Sequence, residues 1–178
     1  MVTLCTIAGV VTAIAFWKLD IARYQINGDM LSVGTALIAA QREAVAKQYN
    51  LIVTFDTTNN DLRIVFDQNN NGKLDVGTER SRMLFLGNQV RYGLGTAPPM
   101  SWGSVPITFT QTEGTSGNPA VTFLRNGSAS EAGGIYLTSI RALTDSRYAY
   151  DVRAIRVERA TGRADWWHYD GSTWVRGF

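Results

Sequence analysis

Residues 36–55, ALIAAQREAVAKQYNLIVTF, hold the change of period that decides the fold. Up to Gln48 the apolar residues recur at intervals of three and four. Leu19, Ala22, Ile26, Met30, Val33, Leu37, Ala40 and Ala44 make one helical stripe, with Asp20, Arg23, Gln25, Asn27, Gln41, Arg42 and Lys47 between them. From Asn50 the chain passes into short β-branched and aromatic runs bounded by Gly, Asn, Asp and Pro. The break separates 1–49, a helix that is hydrophobic and then amphipathic, from 50–178, a β-rich head. The predicted fold class is α+β, a long N-terminal helix packed on a C-terminal antiparallel β-sheet domain.

Upstream of the quoted stretch, residues 1–17 (MVTLCTIAGVVTAIAFW) carry no charge, and the first charges are Lys18, Asp20 and Arg23. One helix is predicted from about Thr3 to Gln48, roughly 70 Å long, and residues 1–17 account for roughly 25 Å of it, at the short end for crossing a bilayer. The head alone cannot cover such a helix, so its first half needs lipid or other helices around it. No Lys or Arg precedes the apolar run, and Phe16-Trp17-Lys18 stands where small residues would mark cleavage, so the arm is expected to be retained. Gly28 and Gly34 mark places where the helix is expected to bend or melt.

Downstream, Leu51–Asp56 and Leu62–Asp67 read as a hairpin across Thr57–Asp61. Further strands are expected at Met83–Leu86, Val105–Gln111, Ala120–Leu124, Gly134–Ile140, Tyr148–Arg159 and Asp165–Tyr169. Within Tyr148–Arg159 the alternation changes phase, which suggests a bulge near Ala154 or Ile155. Gly93–Ser104 and Thr112–Pro119 read as exposed loops. The chain has 178 residues with a formal charge of +2, which argues against a protein held mainly by nucleic-acid phosphates or anionic lipid. One cysteine and one histidine exclude an internal disulfide framework, a Cys-rich zinc site and a His cluster, and no nucleophile signature accompanies His168. No enzyme activity is expected.

An apolar helix that turns amphipathic and feeds directly into a small antiparallel β-domain resembles the type IV pilin and type II secretion pseudopilin architecture. Val2-Thr3-Leu4 followed by Ile7, Val10, Val11, Ala13, Ile14 and Ala15 is similar to the start of mature pilins. ALIAAQREAVAKQYNLIVTF (36–55) is similar to the helix-to-strand junction of the GspH/FimT-like pseudopilins. LRIVFDQNNNGKLD (62–75), VTFLRNG (121–127) and RAIRVERATGRAD (153–165) have counterparts in that family in the same order. Where pilins place a glutamate fifth in the mature chain, Cys5 or Thr6 stands here. The resemblance implies a pilin-like helix that anchors in the bacterial inner membrane before assembly and then enters a filament of copies of itself or other pilins. The filament is a periplasmic pseudopilus or an extracellular pilus. The helix residues expected to serve membrane and filament are Val2, Leu4, Ile7, Val10, Val11, Ile14, Phe16, Leu19, Ile26, Val33 and Leu37. Alternatives are a minor tip pilin that captures DNA or another ligand, and a membrane-anchored calcium-binding module.

Two stretches bear on those alternatives. DQNNNGKLDVGTE (67–79) sets Asp67, Asn69, Asn71 and Asp75 at the first, third, fifth and ninth positions of an EF-hand-like loop, with Gly72 sixth and the Lys73 carbonyl seventh. Thr78 holds the closing position and Glu79 follows it, so calcium with a rearranged end and a metal-free Asn/Gly turn both stand as readings. Near the C-terminus Arg153, Arg156, Arg159 and Arg163 are interleaved with Trp166 and Trp167, residue types that grip phosphates and stack on bases. Some members of the resembled family are implicated in DNA uptake. Asp151, Glu158 and Asp165 run through the same stretch, so cross-strand charge pairing is the competing explanation.

Overall fold

The computed structural model describes residues 20–177. Helix α1 (Ile21–Lys47) is capped by Asp20, whose side chain accepts from the Arg23 amide at 3.1 Å. It runs without interruption through Gly28 and Gly34. Gly34 answers to packing, because a Cβ there would lie 3.3 Å from the ring of Trp166. At the other end Gln48 adopts φ 60°, its amide bonds the Ala44 carbonyl, and the chain turns into β1.

Nine strands follow, in two antiparallel sheets. β1 (Asn50–Asp56), β2 (Asp61–Asp67), β3 (Ser81–Phe85) and β5 (Ala120–Phe123) form one in the order β3-β2-β1-β5. β4 (Val90–Tyr92), β6 (Gly133–Ser139), β7 (Arg153–Val157), β8 (Ala164–Tyr169) and β9 (Trp174–Arg176) form the other in the order β4-β6-β7-β8-β9. A short helix α2 (Ile140–Thr144) and a 3-10 turn (Ser146–Asp151) link β6 to β7. The β1–β2 hairpin falls where the alternation places it, and Asp56 closes its turn by accepting from the Thr58 and Asn59 amides.

The stripe Ile26, Met30, Val33, Leu37, Ala40 and Ala44 is buried against both sheets at once, meeting Leu51, Val53 and Phe55 of β1 and Ile135, Leu137, Ile155 and Val157 of β6 and β7 in one core. Ile26, Val33 and Leu37, expected to face membrane or filament, are thereby spent on the chain's own head: they are at most 1% exposed. Ala40 belongs to the same core.

Three further expectations are corrected. Tyr148–Arg159 is not one strand: its first part is the 3-10 turn, and β7 pairs with β6 and β8 in unbroken register, so the change of phase marks an element boundary and no bulge is present. Val105–Gln111 forms no continuous strand and contributes an isolated bridge, Ile107 to Ile135. The segment 93–104, expected to lie exposed, covers the outer face of the second sheet. There Ala97, Met100 and Trp102 pack with Tyr136, Ala154, Tyr169 and Trp174. The Tyr136 hydroxyl donates to the Gly103 carbonyl and accepts from the Met100 amide. Gly134 is required beneath it, since a Cβ would meet the Trp102 indole nitrogen at 2.5 Å.

Candidate functional site

With one stripe of α1 in the core, the opposite side of the helix shows a second pattern. Ile21, Tyr24, Gly28, Leu31, Thr35, Ile38, Arg42 and Val45 are separated alternately by three and four residues, the seven-residue repeat of helices that pack on other helices. Tyr24 is 83% exposed, Ile21 63% and Leu31 55%, so large apolar side chains stand in solvent along the seam. Gly28 meets nothing within 4 Å and leaves a shallow hollow lined by Tyr24, Asn27 and Leu31. Ile26, Val33 and Leu37 thus face the head, and the exposed seam has the same spacing, shifted around the helix.

Polar clasps fix the direction in which α1 leaves the head. Arg141 on α2 reaches Asp20 at 2.6 Å and the fully buried Asp151 at 2.7 Å, and Ser139 donates to the same Asp151 oxygen. Burial works to raise the Asp20 pKa, but the bond to Arg141 and the Arg23 amide outweigh it and lower it. Asp29 accepts from the Gly87 amide at 2.6 Å, and Gln25 accepts from the Gln89 amide. Arg153, buried in β7, donates to Asn27 Oδ1 at 2.7 and 2.9 Å and to the carbonyls of Tyr150 and Val152. Burial, partly offset by the nearby Asp151 carboxylate, brings the Arg153 pKa down to about 10, so it remains a cation at neutral pH.

The arginine and tryptophan set of the C-terminal strands is divided by strand alternation. Arg153 and Trp166 lie on the helix side, the first buried and the second packed toward Gly34. Arg156 and Trp167 lie on the opposite side, where Trp102 joins them: Arg156 sits 5.8 Å from the Trp102 ring, Trp102 5.3 Å from Trp167, and Arg176 6.0 Å from Trp167. Arg163 and Arg176 both pair with Asp165, and Arg156 pairs with Glu158. Arg159 is exposed in the turn that follows β7. The six residues therefore do not form one surface. Trp102 and Arg176 complete the outer ladder, and no linear spacing points to Trp102. His168 turns Nδ1 to the Gly177 carbonyl at 2.7 Å.

In the 67–79 loop, Asp67 accepts from the amides of Asn71 and Gly72, and Glu79 accepts from those of Gln68 and Asp75. The side-chain NH2 groups of Asn69 and Asn71 both converge on Asp75 Oδ2, at 2.7 and 2.6 Å, while their oxygens accept from backbone amides. Lys73 approaches Asp75 from outside at 3.7 Å. Beyond these bonds the loop serves packing, since Leu74 lies over Ile52, Val65 and Ala120 on the outer face of the first sheet. Among the described residues no group of three or more His, Cys, Asp or Glu is placed to hold a metal.

The family model described as Type II transport protein GspH matches residues 32–160, from the middle of α1 to just before β8. The chain belongs to the GspH family. Two solved structures share the fold of this GspH-family chain. The minor pseudopilin EpsH from the type 2 secretion system of Vibrio cholerae is 12% identical, with 80% of this chain and 95% of that one covered and a TM-score of 0.51. The type IV minor pilin FimU of Pseudomonas aeruginosa is 13% identical, with 86% and 94% covered and a TM-score of 0.53. No curated protein matches the chain. Val2, Leu4, Ile7, Val10, Val11, Ile14, Phe16 and Leu19, the remainder of the expected assembly helix, lie outside the described residues. Among the described residues no helix is long and apolar enough to cross a membrane.

Proposed function

We propose that this GspH-family chain is a structural subunit of a type II secretion pseudopilus or of a type IV pilus-like filament, polymerised through its N-terminal helix. The observation that carries the reading is the exposed seam Ile21, Tyr24, Leu31 and Val45 on a helix whose other face is already used by the head. Upstream, in sequence, it continues into the uncharged residues 1–17. Those residues sit in the bacterial inner membrane before assembly and then among the helices of copies or related pilins, with the head in the periplasm or outside the cell. Passing from lipid to helix neighbours exchanges one apolar surrounding for another, so packing along the seam supplies the preference. The role asks for no catalysis.

Replacing Leu31 with Glu tests it, because Leu31 touches the seam and not the core. The variant is expected to melt within about 0.5 kcal/mol of the native protein, as surface changes do. It is expected to remain in the membrane fraction but to be missing from filaments sheared from cells and viewed by electron microscopy. Normal incorporation of Leu31→Glu would overturn the reading.

Two secondary proposals have their own tests. Calcium held by Asp67, Asn69, Asn71, the Lys73 carbonyl, Asp75 and Glu79 has the oxygen-rich donor set in its favour. It asks both asparagine amides to rotate, so that oxygens replace the NH2 groups now beside Asp75. A melting temperature that stays put in millimolar calcium would end it. DNA capture at a filament tip falls to Arg156, Arg159, Arg163 and Trp167, without the buried Arg153. Failure of both single-stranded and duplex DNA to bind at low salt would exclude it.

A further inference from the structure

The two sheets have four edges, and three of them are blunted. β5 is flanked on its open side by Gln111, whose carbonyl takes the Ala120 amide, and by Ser130, which exchanges bonds with Thr122. β4 is three residues long, and its Val90 carbonyl is taken by the side chains of Asn60 and Arg91. β9 is also three residues long. β3 differs. Its five residues pair with β2 in regular register from Ser81 to Phe85, with no bulge and no proline, and among the described residues nothing pairs with its other side.

That edge has two chemically distinct faces. On the outer face stand Met83, 41% exposed, and Phe85, 67% exposed. On the helix side stand Arg80 and Arg82. Neither makes an ion pair among the described residues, and Arg82 rests 6.0 Å from the Phe66 ring; Arg63 on β2 is opposite Met83 and so stands on the outer face. A groove of about 260 Å³ lies between Arg82, Leu84 and the small residues Thr35, Ala36 and Ala39 of α1.

We propose that β3 receives an added strand from another protein: an extended segment in which acidic residues alternate with apolar or aromatic ones. Alternation sends every second side chain of an added strand to the same face. Its acids then reach Arg80 and Arg82 above the helix groove, and its apolar residues cover Met83 and Phe85. Main-chain bonds supply attachment, and the arginines select by charge. A second copy of this chain does not answer the description, because its other edge strands (VRY, AVTF and WVR) carry no acid. The groove borders the α1 seam at Thr35, but Arg80, Arg82, Met83 and Phe85 lie off the helix, so the strand would attach to the head itself.

The test is fluorescence anisotropy of a short labelled peptide alternating Glu with Val and Tyr, titrated with the full-length protein in non-ionic detergent at low salt. A peptide with Lys for Glu serves as the control. Saturable binding of the acidic peptide alone is expected, together with slowed hydrogen exchange of the β3 amides. The paired exposed replacements Arg80→Glu and Arg82→Glu are expected to weaken binding by about tenfold or more. The proposal is overturned if the acidic peptide does not bind, if the lysine peptide binds equally, or if the paired variant binds undiminished. It is overturned equally if β3 is protected in a homodimer without peptide, or if Arg82→Ser merely makes the protein aggregate, which would make the arginines guards against pairing.

Discussion

At the residue scale, buried charge is placed where the backbone needs donors or acceptors. Glu113 is 2% exposed and accepts from the amides of Leu74, Thr115 and Ser116, binding the 111–119 hairpin to the asparagine-rich loop. Burial works to raise its pKa, but the Ser116, Leu74 and Thr115 amides outweigh it and hold it at about 2, below the ordinary 4.5. Because the folded value is the lower one, this stabilisation is present above pH 4.5 and lost as pH falls through about 2. Glu113→Gln is therefore expected to lower the melting temperature clearly at pH 7, with the gap to the native protein closing toward pH 2 in melts across that range. Arg153 shows the reverse charge in the same role. Arg153→Ala strips Asn27 Oδ1 and the Tyr150 and Val152 carbonyls of their donor in the interior, at a cost of about 2–4 kcal/mol in chemical denaturation.

At the element scale, α1 has two apolar faces, one buried and one exposed. One fills the cleft between the sheets, so Leu37→Ala is expected to cost about 2–5 kcal/mol and to speed exchange in both sheets together. If only one sheet lost protection, the two would not share a core. Its exit end is governed by Asp20, at once helix cap and partner of Arg141. Asp20→Ala is expected to fray the first turn, seen as faster exchange confined to the residues after it, for about 1 kcal/mol of stability.

At the scale of the whole molecule, helix and sheets divide the work. The helix packs one face against both sheets and keeps an apolar seam outside, while the loops close the outer faces of the sheets with Leu74 on one side and Trp102 on the other. A head so covered has few ways left to meet a neighbour: the seam, the outer arginine and tryptophan ladder, and the bare β3 edge. Changes at the seam should act on assembly and leave the fold intact, and changes such as Ala40→Glu should act on both. Comparing thermal melts with filament yield separates the two groups.

Much of the fold was legible because periodicity is local. The three-and-four spacing from Leu19 to Ala44 and the alternation in LIVTF and LRIVF are consequences of helix and strand geometry that no distant contact has to supply, and they located α1, the first hairpin and the break near Asn50. The junction and the asparagine-rich turn carried the family resemblance that the match over 32–160 then established. What a stripe touches is not local. Ile26, Val33 and Leu37 face their own sheets because the two sheets close around them, and that closure depends on pairings such as Leu137 with Arg153 that no spacing records. Likewise Arg153 and Arg156 read as neighbours in sequence, yet strand alternation puts one in the core and the other against Trp102. Sequence alone determined which residues are apolar and at what period; the tertiary structure decided which apolar faces are used up inside the head and which remain exposed.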